Sequence, residues 1–135
     1  LWTTNLLARW QLEHPECCVL CCQEEEELNH MLLGCSFAKE IWYDVLLPWC
    51  LHRFTPTPEA KIRDWWPAMS NAISTGRRWK MNTLVCLVLR CIWLERNSRV
   101  FDKVATMPYV VTRRINEEFK LWMRAKIGGI ARDVT

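Results

Sequence analysis

Apolar positions along the chain recur at helical rather than alternating spacing. Phe37, Ile41 and Val45 fall on one face of a helix, with Trp42 beside them and Trp49 at its far end. Ser36 is the expected N-cap and Pro48 the expected kink or stop. Val111, Ile115, Phe119 and Trp122 form a second stripe, at i, i+4, i+8 and i+11. Pro108 suits the first position of that helix, and Gly128-Gly129 its end. The apolar block at 84–89 suits a helix buried among others or, equally, a buried strand. Its flanks, Trp79-Lys80-Met81 and Trp93-Leu94-Glu95-Arg96, favour a helix over about residues 77–102.

Shorter elements fill the rest. Residues 2–12 read as a helix with Thr3 or Thr4 as N-cap, ended by His14-Pro15. Acidic residues at 24–27 suit the positive end of a helix dipole, and that helix carries His30 and stops near Gly34. Residues 62–74 form a helix interrupted at Trp66-Pro67 and stopped by Thr75-Gly76. Phe54-Thr55-Pro56-Thr57-Pro58 is the clearest linker. The expected class is all-α, with residues 1–52 and 59–127 as two modules. Half of the 135 residues are apolar, enough for a true core. No stretch is long and apolar enough to span a bilayer, no signal peptide is visible, and the first residue is Leu, which suggests an excised piece.

Charge sharpens the division. The net value is +3. Residues 1–52 hold two basic and eight acidic side chains, and residues 53–135 hold sixteen basic and seven acidic. A polyanion would meet the second part.

The cysteines carry the chemistry. Cys18-Val19-Leu20-Cys21, then His30 and Cys35, read C-x2-C-x8-H-x4-C. Two thiolates on one tight turn, an imidazole and a third thiolate are what one tetrahedral Zn²⁺ asks for. Four protein ligands leave no vacant position, so one structural ion per chain is expected. Cys17 and Cys22 flank the pair and leave C-x3-C registers open. A disulfide scaffold is the competing reading of eight cysteines; the adjacent pairs and the missing export signal favour metal in a reducing, intracellular compartment, nucleus or cytoplasm. Cys86 and Cys91, in an apolar run, are expected to be buried and inert. His14 and His52 lack partners at ligand spacing, and Trp65-Trp66 reads as packing rather than a ligand platform.

These residues resemble a known family. Cys18-Val-Leu-Cys21, Glu26, His30-Met-Leu-Leu-Gly-Cys35, Phe37-Ala38 and Trp42 are similar to the zinc-binding domain that follows the reverse transcriptase in plant non-LTR retrotransposons. Thr3 to Arg9 resembles that family's opening helix, and Ile92-Trp93-Leu94-Glu95-Arg96-Asn97 with Phe101 its downstream segment. Val19 stands where the family usually has Pro, and Cys22 where it often has a small turn residue. The resemblance implies a non-catalytic role beside the polymerase of a parent polyprotein, holding RNA or DNA without sequence preference. Arg77, Arg78, Lys80, Arg96, Arg99, Arg113 and Arg114, near Trp79, Trp93 and Trp122, are the expected contacts. The alternative is a free-standing or degenerate protein-interaction module. No polymerase motif, phosphate-cradling glycine loop or nucleophile–base pair emerges.

Overall fold

The computed structural model describes residues 18–21 and 27–134, with residues 127–134 by backbone alone. The expected helix at 2–12, together with His14, Cys17, Cys22 and Glu26, lies outside the described residues.

Among the described residues every regular element is helical. The main helices are α1 (Ser36–Leu46), α2 (Ile62–Asn71), α3 (Arg78–Asn97) and α4 (Pro108–Val134). One π-helical segment, His30–Gly34, precedes α1; a second, Ser98–Asp102, and three short 3-10 turns lie between the main helices. The apolar block at 84–89 belongs to α3, which settles the helix-or-strand ambiguity. α3 is not buried on all sides, however. Leu84, Val85, Leu87, Val88 and Ile92 face inward, while Cys86 and Arg90 face solvent.

α1 buries the stripe its spacing predicts: Phe37, Ile41, Trp42 and Val45, with Ala38 and Leu46. Its N-cap is Cys35 rather than Ser36, because Cys35 has the extended backbone and its carbonyl accepts the Lys39 N–H at 2.8 Å. α1 lies against α4, and α4 against α3. Val111 and Ile115 are buried at that junction, Phe119 is half-buried, and Trp122 is out in solvent. The stripe on α4 therefore leaves the core about halfway along the helix. α4 also runs through Gly128-Gly129 to Val134. Glycine inside a helix costs only about 1 kcal/mol relative to Ala, too little to guarantee a stop.

Pro67 likewise fails to interrupt α2. The helix loses one backbone bond there, but its two tryptophans are anchored on either side. Trp65 Nε1 donates to the Phe54 carbonyl at 2.6 Å, and Trp66 Nε1 to Asn82 Oδ1 at 2.9 Å. The first turn of α2 is capped from a distance, since Asn29 Oδ1 accepts the Ile62 N–H at 3.1 Å.

The segment expected to be a linker closes a 3-10 turn at Phe54, runs irregularly over 55–57, and is packed. Pro56 is buried. Pro58 passes so close to Gly34 that a Cβ there would lie 2.5 Å from the Pro58 carbonyl oxygen. Glycine at 34 is thus required by the close approach of another backbone. One core cluster holds Cys18, Cys35, Trp42, Met69, Leu84 and Ile115, drawn from both sides of this segment.

Candidate metal centre

Three short pieces of chain bring the ligands together. Residues 18–21 form a tight turn with a cysteine at each end. His30 opens a π-helical segment whose closing bond runs from the Cys35 N–H to the His30 carbonyl, at 2.6 Å. In an α-helix, residues five apart point about 140° away from each other. The i→i+5 winding removes most of that offset, which is why H-x4-C can serve one ion here. Trp42 then fixes the segment from behind. Its Nε1 donates to the Leu32 carbonyl at 2.8 Å, and its ring meets Trp65 edge-on at 4.7 Å.

The result is a compact donor set. One ligand atom from each of Cys18, Cys21, His30 and Cys35 lies within 4.8 Å of all the others. Cys18 Sγ and Cys35 Sγ are 3.9 Å apart, and Cys21 Sγ is 3.3 Å from His30 Nε2. A tetrahedral zinc with ordinary bond lengths has ligand–ligand edges of about 3.5–3.8 Å. The four residues therefore fit such an ion in both chemistry and spacing. Of the open registers, the structure brings together the Cys18/Cys21 pair; Cys17 and Cys22 lie outside the described residues. The disulfide reading finds no support among the described residues, whose six cysteines are all free.

Burial and charge agree with this. Cys18 and Cys35 are fully buried. The Cys18 thiol is held below the ordinary range, chiefly by a hydrogen bond from Cys35 that outweighs burial, and also by the backbone N–H groups of Cys21 and Leu20. The Cys35 thiol is raised, first by that same bond, then by burial and the neighbouring Cys18 charge.

The family model described as zinc-binding in reverse transcriptase matches residues 1–42. Over that segment the chain is similar to the family, and the Cys3His group lies inside it. No curated protein and no solved structure matches the chain. The matched residues hold all four candidate ligands and stop at Trp42, before α2, α3 and α4. No helix among the described residues is long and apolar enough to cross a membrane.

The basic residues expected to meet nucleic acid fall into two groups. Arg77, Arg113 and Arg114 are exposed, and Lys80 is half-exposed. Arg77 lies over the Trp49 ring at 5.0 Å and Lys80 over Trp79 at 5.7 Å. Arg96 and Arg99 instead turn inward. Arg96 is fully buried between the Trp93 and Phe101 rings. Arg99 makes an ion pair with Glu95 and bonds to the Val19 and Leu20 carbonyls of the cysteine turn. Arg78 stands between the groups, its Nε bonded to the Ser70 and Ile73 carbonyls. Glu95 was not singled out from sequence, although its place four residues before Arg99 is the spacing of a helical ion pair. His52 is exposed, and Trp65 and Trp66 pack as expected. Cys86 is exposed and Cys91 half-buried, which corrects the expectation that both are buried; the apolar run surrounds α3, and one side of it meets solvent.

Proposed function

We propose that the chain is the structural zinc-binding domain of a retrotransposon reverse transcriptase, one that assists reverse transcription by holding RNA or DNA. The observation that carries the metal part is the convergence of Cys18, Cys21, His30 and Cys35. Four protein ligands close the coordination shell, so the ion organises the fold and does not activate water. The domain is then not an enzyme. Protein purified under reducing conditions should hold about one zinc per chain; zinc-free protein with full helical signal would defeat this reading.

The nucleic-acid part is supported by the exposed cations Arg77, Arg113 and Arg114 and by Trp79, which has Lys80 and Lys126 ammonium groups at 5.7 and 5.3 Å from its ring. Trp79 and Trp122 line a groove of about 510 Å³ between α3 and α4, and Trp122 is 54% exposed. Bases stack on exposed tryptophan, and cations at its edge neutralise phosphate. Binding to single-stranded RNA should weaken steeply with salt, with a log–log slope of about −3 for four phosphate contacts. Absence of binding at low salt, with zinc present, would favour the second reading. That reading is a protein-interaction module, and it draws on the same groove, whose walls are mostly apolar and include the 61%-exposed Leu121.

A further inference from the structure

We propose that Arg99 is a positioning residue for the metal centre: its guanidinium holds the two carbonyls of the 18–21 turn and so sets the sulfurs that receive the ion. The proposal rests on the metal reading above. It adds a residue that lies far outside the 1–42 segment matched by the family model.

The guanidinium is fully engaged and firmly placed. Nη1 donates to the Val19 carbonyl at 3.2 Å and to the Leu20 carbonyl at 3.4 Å. Nη2 donates to the Thr106 carbonyl at 2.9 Å, and Nε to Glu95 Oε2 at 2.6 Å. The group lies over the Phe37 ring, 4.6 Å from its centroid. Glu95, only 3% exposed at its side chain, accepts the Thr106 N–H at 2.9 Å with the same oxygen. An arginine fork fixed at so many points is a rigid template for whatever it binds.

What it binds is the backbone of the cysteine turn. In a trans peptide the C=O and N–H point in opposite directions. Turning the Val19 and Leu20 carbonyls toward Arg99 therefore turns the Leu20 and Cys21 N–H groups the other way. Those two N–H groups are the ones bonded to the Cys18 sulfur. Arg99 acts on one side of the peptide planes and Cys18 gains on the other. No proline stiffens this turn, whose middle residues are Val19 and Leu20. Arg99 supplies that stiffness from a π-helical segment at the end of α3.

The test is a cobalt and zinc titration of the full chain under reducing conditions. Arg99→Met keeps the stem over Phe37 and removes every donor; Arg99→Lys keeps the charge and loses the fork. Partners that orient a metal's ligands typically contribute 10–100-fold in affinity. Arg99→Met should bind zinc 10–100-fold more weakly, with a shifted thiolate–cobalt band, and Arg99→Lys should fall between it and the parent. Met69→Ala, a core truncation on α2, should lower the urea midpoint and leave zinc affinity unchanged. Parent affinity and spectrum in both Arg99 variants would overturn the proposal. So would an affinity loss in Met69→Ala as large as that in Arg99→Met, since Arg99 would then be merely structural. Should Arg99→Met not fold, Arg99→Lys decides by the same criteria. A parent chain with no thiolate–cobalt band would overturn the metal reading itself, and the proposal with it.

Discussion

The two ends of the molecule use the same residue types in opposite ways. At the metal end, Arg96 and Arg99 point inward, Trp42 is sealed, and Cys18 and Cys35 are buried. At the groove end, Arg77 points outward, Trp122 is half in water, and Cys86 is exposed. Two of the inward set answer backbone groups: Arg99 serves the Val19, Leu20 and Thr106 carbonyls, and Trp42 the Leu32 carbonyl, while Arg96 donates to Asn97 Oδ1. The outward set keeps its polar ends for solvent or a partner. A count of arginine and tryptophan cannot separate the two roles; only the backbone groups that the fold leaves in need of a donor can.

Removing the metal should have the largest effect on this contrast. Bound zinc contributes on the order of ten kcal/mol to folding in small domains. Chelation should loosen residues 18–35 first, seen as fast amide exchange there, while α3 remains protected. Cys35→Ser, which removes a buried ligand, should reduce zinc content well below one per chain. Equal zinc in parent and variant would strike Cys35 from the ligand set.

Gly34→Ala comes next. A methyl at 34 would sit 2.5 Å from a backbone oxygen of Pro58, which cannot swing aside as a side chain would. The expected loss is about 1–3 kcal/mol in urea unfolding. An unchanged midpoint would mean that the 54–58 segment does not pack against the ligand-bearing turn.

Smaller still is the effect of Trp122→Ala. On an exposed site it should leave stability within about 0.5 kcal/mol. If the groove holds single-stranded RNA, binding should weaken by about 1–3 kcal/mol, the contribution of one stacked base. The double change of Arg113 and Arg114 to Ala should instead flatten the salt dependence. Loss of stability in Trp122→Ala with unchanged RNA binding would turn the groove end into an ordinary packed surface.

Much of this was legible from sequence. The four candidate ligands were read from thiol and imidazole spacing, which left the registers with Cys17 and Cys22 open; in the structure Cys18, Cys21, His30 and Cys35 meet at one point. α1 follows from periodicity, and α3 from the residues that flank its apolar block. What the sequence hid was decided by tertiary packing. Pro67 and Gly128-Gly129 carry local penalties that α2 and α4 accommodate. The inward turn of Arg96 and Arg99 depends on which carbonyls and rings lie nearby, and Val19 and Leu20 are some eighty residues away from Arg99. The i→i+5 winding at His30–Gly34 has no periodic signature in five residues.

The smallest effect distinguishes two cysteines that looked alike. Cys86 and Cys91 share an apolar run on α3, but Cys86 is exposed and Cys91 is half-buried beside Glu118 and Arg114. Burial raises the Cys91 thiol above the ordinary range, and the Glu118 charge adds to it. The unfolded chain, lacking that burial, ionises this thiol at lower pH than the folded one does. Cys91 therefore contributes stability below the ordinary thiol pKa of about 8.5, and that contribution fades as pH rises past it toward the raised folded value. Cys91→Ala should flatten the decline of stability between about pH 8 and pH 10, while Cys86→Ser should leave both that decline and the zinc content unchanged. At neutral pH an alkylating reagent should reach Cys86 well before Cys91, because the reactive form is the exposed thiolate. Equal alkylation rates, or a pH profile that changes with Cys86 rather than Cys91, would show that α3 presents a different face to solvent, and the groove beside Trp122 would have to be redrawn.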